Sequence, residues 1–239
     1  MKVPRKIEIP HKLAMYRLLD GLLSNVFIAT NIYFKGGTCA AMLGYLDRFS
    51  IDLDFDLIDK SQKAKIRKEI YKVIKDLGFE IKDESKEHLQ FFLKYRDVAN
   101  QRNTLKLEIV DIVSKENQYR KFYLAELDRY CQAQTIETMF ANKLVALKAR
   151  WKEGKSIAGR DLYDIHYFFN QGFGINSKVI EDLCGKSLKV YAVELSSFIE
   201  KNISEKMLLE DLNSVIDSKK LNTLVPRIKQ EVIIALNSM

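Results

Sequence analysis

The sequence has few residues that could staple or anchor it. Its three cysteines, Cys39, Cys131 and Cys184, are odd in number and far apart, and no Cys-x-x-Cys pair occurs. That excludes a disulfide framework and a thiolate zinc site, and leaves buried reduced thiols. Cys39 has no histidine or second cysteine close by in sequence, so it does not read as a nucleophile. The three histidines, His11, His88 and His166, are not spaced as metal ligands. His166 lies near Leu162, Ile165 and Phe169 and reads as a satisfied core histidine. No apolar run reaches the roughly 18 residues of a transmembrane helix. The opening stretch, MKVPRKIEIPHK, is charged and lacks the apolar core of a secretion signal. A cytoplasmic protein with no membrane partner is expected. There is also no Pro/Gly/Ser-rich linker, no internal repeat and no low-complexity tract.

What is present is an ordinary globular composition. The chain has 239 residues, 47% of them hydrophobic, enough for one large domain or two small ones. A boundary near residue 125 would give parts 1–125 and 126–239, and with no linker between them the two would pack closely. Lys and Arg number 39 against 32 Asp and Glu, a net charge of +7. A basic balance suits nucleic acid or nucleotide phosphates.

One stretch organises the rest: Lys35 to Leu57, KGGTCAAMLGYLDRFSIDLDFDL. Gly36-Gly37-Thr38 forms a turn, and a short helix from Thr38 to Tyr45 follows. Ile51 to Leu57 then alternates strictly. Ile51, Leu53, Phe55 and Leu57 share one face; Asp52, Asp54 and Asp56 share the other. That is the period of a half-buried strand. Carboxylates two residues apart on a strand stand about 7 Å from each other and repel. An alternating acidic strand can simply be the wet face of a sheet edge. A site for a divalent cation accounts for it too, because Mg²⁺ is held by one or two carboxylates plus substrate phosphates. The glycine turn supplies the complement. It lets backbone N–H groups approach a phosphate, and a helix N-terminus follows. A phosphate-holding turn ahead of an Asp-x-Asp strand is the layout of a nucleotidyl-transfer site.

The flanking segments frame this stretch. Pro10 to Ser24 reads as a helix, and Ile28 to Phe34 leads into a short strand. Asp59 to Asp76 is an amphipathic helix ended by Gly78. One face carries Ile66, Ile70, Val73, Ile74 and Leu77. The other carries Lys60, Lys63, Lys65, Arg67, Lys68, Lys72 and Lys75, either a solvated surface or a track for an RNA backbone. Three strands follow, at 79–82, 88–95 and 104–113, with a hairpin loop at Asn100-Gln101-Arg102-Asn103. In the third of these, Glu108 faces away from the apolar Leu105, Leu107 and Ile109. Asp111 falls on their side. A plain surface pair of Lys106 with Glu108 is the structural alternative. Tyr119 to Arg129 reads as a connector, and the chain is helical from Thr135 onward.

In the helix at 135–150, Ile136, Met139, Phe140, Leu144 and Leu147 form one stripe at about 100° per residue. Lys143 falls near its centre. Lysine is almost never buried alone, so Lys143 either snorkels to solvent or reaches an anion. After a polar loop at 151–159 comes Arg160-Asp161-Leu162-Tyr163-Asp164 at the start of the next helix. First-turn capping would explain both of its acids. Four more amphipathic helices fill 176–239, with Pro226 expected in the first turn of the last.

GGT followed by RFSIDLDF resembles the signature of the DNA polymerase β-like nucleotidyltransferase superfamily. Within it the chain is similar to the AbiEii/AbiGii toxin family, whose relatives include the MenT toxins. That family's pattern runs Gly-Gly-Ser/Thr, a short helix, Arg-x-Ser-x-Asp-Ile/Leu-Asp, then a lysine and an Arg-Asp-x-Tyr-Asp helix. The resemblance covers about residues 28–169. It implies an α+β fold: a mixed-sheet nucleotidyltransferase domain followed by a helical bundle that closes the cleft. It implies metal-dependent transfer of a nucleoside monophosphate from an NTP. Asp52, Asp54 and Glu108 would hold Mg²⁺ or Mn²⁺. Gly36, Gly37 and Thr38 would hold phosphate. Lys143 would neutralise the triphosphate, and Asp161 would complete the site, with Asp164 structural. It further implies tRNA as acceptor and a cognate antitoxin as partner. Cys39 after GGT and the divergent tail depart from the common pattern and leave the acceptor open. Two other readings share these residues: an antibiotic-type small-molecule nucleotidyltransferase, and a catalytically silent nucleotide-binding module.

Overall fold

The structure, a computed structural model, describes residues 5–96, 102–154 and 159–239. It divides into two compact units, Met1–Val113 with Tyr119–Gln134, and Ser114–Gln118 with Thr135–Met239.

The first unit opens with helices α1 (Ile9–Ser24) and α2 (Val26–Asn31) and strand β1 (Ile32–Lys35). Helix α3 (Gly36–Met42), strand β2 (Asp52–Leu57) and helix α4 (Lys63–Asp76) come next. Strands β3 (Glu80–Glu84), β4 (Leu89–Lys94), β5 (Thr104–Val110), β6 (Tyr119–Leu124) and β7 (Arg129–Gln134) complete it. The seven strands make one mixed sheet in the order β3-β4-β5-β2-β1-β7-β6. Strand β2 pairs antiparallel with β1 and parallel with β5. The alternation expected of β2 holds from Asp52 to Phe55 and breaks at Asp56, which is buried along with Leu53, Phe55 and Leu57. Phe34 stacks on Phe55 with ring centroids 5.1 Å apart. Leu18, Leu19 and Leu22 of α1 and Ile66 and Ile70 of α4 are fully buried too. A Cβ on Gly21 would meet Val73 Cγ1 at 3.0 Å, so this glycine lets α1 and α4 approach closely.

Two sequence expectations change here. Residues 119–129 are not a connector. Tyr119–Leu124 is β6, an edge strand hydrogen-bonded to β7, with only Leu124 buried. An edge strand that buries so little leaves no period-2 signal to read. Helix α2 takes up Val26–Asn31, its first turn held by the Asn25 side chain, which accepts from the Ile28 N–H at 3.1 Å. The strand before the glycines is therefore only four residues long. The hairpin loop predicted at 100–103 falls partly outside the described residues, but Tyr95 N–H donates to the Asn103 carbonyl at 3.0 Å and closes it.

The second unit is helical: α5 (Ile136–Gly154), α6 (Gly159–Asn170), α7 (Ser177–Cys184), α8 (Leu188–Asn202), α9 (Glu205–Leu212) and α10 (Ser218–Asn237). Phe140 of α5 packs edge-on against Phe168 and Phe169 of α6, at 5.3 and 4.8 Å. Segment 114–118 is tied in by side-chain hydrogen bonds. Asn176 Nδ2 donates to the Glu116 carbonyl at 2.9 Å, and Ser114 Oγ donates to Asp182 Oδ2 at 2.7 Å. Helix α5 continues to Gly154, into the region expected to be loop; 155–158 lie outside the described residues. Pro226 sits inside α10, not in its first turn, because Asp217 already caps the helix with its carboxylate on the Lys219 N–H at 3.0 Å. The N–H that proline lacks would have bonded the Asn222 carbonyl. Asn222 is exposed, so water can serve it. Among the described residues no helix is long and apolar enough to cross a membrane.

Candidate active site

The polar face of the sheet is organised in cross-strand rows. Asp54 pairs in register with Glu108 of β5 on one side and Lys35 of β1 on the other. Glu108 in turn pairs with Gln90 of β4. One row therefore reads Gln90, Glu108, Asp54, Lys35. Asp52 stands two residues from Asp54 on the same face and pairs with Lys106.

The charges in this row are unequal. Burial, then the charges of Asp52 and Glu108, push the Asp54 carboxyl up to about 6, against the pull of Lys35 and Lys106. Burial acts the same way on Glu108 but is outweighed. Lys106 Nζ and Gln90 Nε2 both donate to Glu108 at 2.8 Å, and its pKa is lowered. Asp56 is fully buried, held by Lys35 Nζ at 2.6 Å, Tyr119 OH at 2.8 Å and Gln134 Nε2 at 2.6 Å. The third acid of the alternating strand is thus an internal anchor for Lys35. Asp111, the next acid after Glu108, pairs with Lys63 at 2.5 Å beyond the end of β5.

The glycine turn lies against Asp54. Gly36 has φ +79°, and a Cβ on it would come 2.4 Å from Asp54 Oδ2. A Cβ on Gly37 would come 2.8 Å from Arg48 Nη2 and 2.9 Å from Ser50 Oγ. The Arg-Phe-Ser segment ahead of β2 therefore packs on the turn. Arg48 is itself buried and donates to the Phe49 carbonyl at 2.9 Å. Thr38 is fully buried and gives its hydroxyl to the Asp52 carbonyl at 2.5 Å. It pins the turn to the first residue of β2. On the other flank, His11 Nε2 lies 2.8 Å from the Ile51 carbonyl and Nδ1 lies 3.0 Å from Tyr95 OH. Cys39 is buried, and burial pushes its thiol well up, so it is inert.

Lys143 and Asp161 meet in the second unit. Lys143 Nζ sits 2.6 Å from Asp161 Oδ1 and 3.0 Å from Asp164 Oδ2. Arg150 Nη1 lies 3.1 Å from Asp161 Oδ2. Both aspartates are buried. Sequence reasoning left Asp164 out of this cluster and passed over Arg150. Helical spacing could have found both: Asp161 and Asp164 are i, i+3, and Lys143 and Arg150 are i, i+7. Lys35 and Asp56 were missed as a pair because only the β1–β2 register brings them together.

A family model described as Nucleotidyl transferase AbiEii toxin, Type IV TA system, matches residues 17–231. The chain belongs to the AbiEii nucleotidyltransferase toxin family. It is accordingly a nucleotidyltransferase, and its family is that of type IV toxin–antitoxin systems. Three solved structures share the fold. A nucleotidyltransferase from H. pylori has 22% identity and a TM-score of 0.56, covering 98% of this chain and 95% of that one. JHP933 from Helicobacter pylori has 20% identity and a TM-score of 0.54, covering 99% and 96%. The nucleotidyltransferase toxin MenT4 from Mycobacterium tuberculosis has 15% identity and a TM-score of 0.57, covering 98% and 85%. A comparison with curated proteins found no match.

A nucleotidyltransferase family implies a divalent cation, and the residues can be tested for it. Among the described residues, no three His, Cys, Asp or Glu side chains converge to hold a metal ion by themselves. Glu108 is drawn toward Lys106 and Gln90. The Asp52–Asp54 pair remains. Its crowded negative charge, seen in the raised Asp54, is what a cation relieves. Two carboxylates completed by water and substrate phosphates suit Mg²⁺.

Proposed function

We propose that this toxin moves a nucleoside monophosphate from an NTP onto an acceptor hydroxyl, with tRNA as the acceptor. The observation that carries this is the contact of the Gly36 backbone with Asp54. It sets the glycine turn directly beside the Asp52–Asp54 carboxylate pair. In the reaction the hydroxyl oxygen bonds to the α-phosphorus. The bond to the bridging oxygen breaks, and pyrophosphate leaves with that electron pair. The hydroxyl proton passes to water.

Each side chain has a role. Asp52 and Asp54 hold Mg²⁺ or Mn²⁺. The bound cation supplies Lewis-acid stabilisation of charge on the reacting phosphate. Gly36 and Gly37 offer backbone N–H groups to the phosphates, and Thr38 keeps that turn in register through its bond to Asp52. Glu108 is ionised at neutral pH, since its pKa is lowered, and accepts a hydrogen bond from the acceptor hydroxyl. That orients the attacking oxygen. In the helical unit, Asp161 and Asp164 fix the Lys143 ammonium.

An RNA acceptor fits the charge distribution. The net charge is +7 although the proposed site is acidic, so the excess cation lies elsewhere. Lys60, Lys68 and Lys75 on and beside α4 are exposed. A cognate antitoxin and a cytoplasmic site of action go with a type IV system. The test is incubation of the purified protein with Mg²⁺, each α-labelled NTP in turn and total tRNA, with Asp54→Ala as control. Label entering tRNA only with the intact protein is the expected result. Transfer to no RNA, or equal transfer by the variant, overturns the reading.

A further inference from the structure

Beside Glu108, on the side away from the glycine turn, the sheet has a recess of about 230 Å³. His88, Gln90, Glu108, Asp111 and Ile112 line it. Its position follows from the strand order. Strand β2 has β1 and the turn on one flank, and β5 then β4 on the other. Asp54 lies between the turn and the recess in the row Gln90, Glu108, Asp54, Lys35.

We propose that this recess seats the terminal nucleoside of the RNA acceptor and that His88 and Ile112 are the residues that grip it. The inference rests on the nucleotidyl-transfer reading above and names the acceptor's subsite within it. Phosphoryl-type displacement needs the attacking and leaving oxygens roughly in line. If the β- and γ-phosphates lie at the turn, the attacking hydroxyl must arrive from the opposite flank of Asp54. That flank is the recess.

The lining suits a nucleoside better than a triphosphate. Two carboxylates and an amide, Glu108, Asp111 and Gln90, are among its lining, and these receive hydroxyl and amino groups. Apolar and aromatic surface stands beside them. Ile112 is 76% exposed, an isoleucine with no apolar cover, and His88 is exposed too. A base can lie against such surfaces, since every base has a π-face. The volume is below the roughly 300–1,000 Å³ of drug-sized pockets and leaves room for about one nucleoside. The wall is braced from α4. Arg67 Nη2 donates to the His88 carbonyl at 2.6 Å, and its Nη1 binds Glu84 at 2.9 Å. Lys63 on Asp111 places positive charge at the rim, where the phosphate preceding the terminal nucleoside would need it.

The test uses the full chain with His88→Ala and Ile112→Ala, and His88→Phe as the variant that keeps a flat ring. Both positions are exposed, so thermal melts are expected to match the unaltered protein. Stacking on one base predicts a rise of about tenfold in the acceptor KM for each alanine variant. The NTP KM and kcat stay within about twofold, and His88→Phe recovers most of the loss. Fluorescence anisotropy supplies a second arm without turnover. The probe is a labelled RNA hairpin with an unpaired 3′ end, compared with the same hairpin lacking its last nucleoside. The intact protein is expected to prefer the longer probe, and the alanine variants to lose that preference. An unchanged acceptor KM in both variants, with transfer to RNA intact, sinks the inference and leaves the proposed function standing. A rise in the NTP KM instead would make the recess the donor's site and sink it equally. No preference for the longer probe in the intact protein also overturns it.

Discussion

Gly36 shows how little freedom the site has at single residues. Its φ of +79° is available to glycine and costly for other residues, and a methyl group there would strike Asp54 Oδ2. Gly36→Ala is therefore expected to push Asp54 or the turn aside. A displacement of about 1 Å near reacting groups can lower a rate about 100-fold. The check is the transfer assay together with a melt, which should fall by only a few degrees. Asp54 itself is held ionised at a cost, since burial and neighbouring carboxylates oppose its charge. Asp54→Asn should stabilise the cation-free protein at pH 7, on the order of 1–2 kcal/mol, while abolishing transfer. Denaturant midpoints in chelator decide this; a less stable variant would mean that the crowding is not felt. Asp52, Asp54 and Asp56 look alike in the sequence, and their common face was legible from strict alternation. Their different fates were not. Asp56 is buried because Tyr119 and Gln134, 63 and 78 residues further on, reach it. Periodicity sees only neighbours and cannot report contacts made at that range.

Between elements, the legible parts were those with strong local pattern. The amphipathic α4, the buried stripe of α5 and the β2 alternation each bury one face fully. Strand β6 escaped because an edge strand exposes both faces. The tie between α1 and the start of β2 also lies beyond local pattern. It runs through His11, fully buried between the Ile51 carbonyl and Tyr95. Burial lowers the His11 pKa below 6.5; the Ile51 hydrogen bond opposes this and Arg102 adds to it. The sign follows. The unfolded chain takes up a proton near pH 6.5, and the folded chain does so only at lower pH. Stability from this group is complete above pH 6.5 and is lost as the pH falls through the folded value. His11→Gln should flatten that loss, which denaturant melts at pH 7 and pH 5.5 can measure. In the second unit, Lys143 joins α5 to two buried carboxylates of α6. Lys143→Met should cost about 3–5 kcal/mol, because it leaves buried charge with less compensation. Adding Asp164→Asn should return part of this. A double-mutant cycle on the full chain measures the coupling, and a Lys143→Met protein as stable as the parent would show that the cluster is not structural.

The molecule as a whole is discontinuous in sequence, because residues 114–118 belong with the helices while 119–134 return to the sheet. Strand β6 reaches the rest of the sheet only through β7, which pairs in parallel with β1 at Phe34 and Ala133. A fragment ending at residue 125 would keep β6 and discard the strand that holds it. It would also bare the edge of β1, and open strand edges invite aggregation. Gln134 would be gone as well, leaving buried Asp56 with one donor fewer. A fragment of residues 1–134 keeps all seven strands and the three side chains, Lys35, Tyr119 and Gln134, that hold Asp56. We expect 1–134 to be recovered in soluble form with sheet-containing circular dichroism, and 1–125 to aggregate. On the helical side, 114–239 should melt higher than 135–239, because Glu116, Asn117 and Ser114 supply hydrogen bonds to α5, α7 and the residue before α7. Each such bond is worth about 1 kcal/mol, so a difference of several degrees is expected. Equal recovery of 1–125 and 1–134, or equal melting of the two helical fragments, would mean that the interleaving of the chain contributes nothing to either unit.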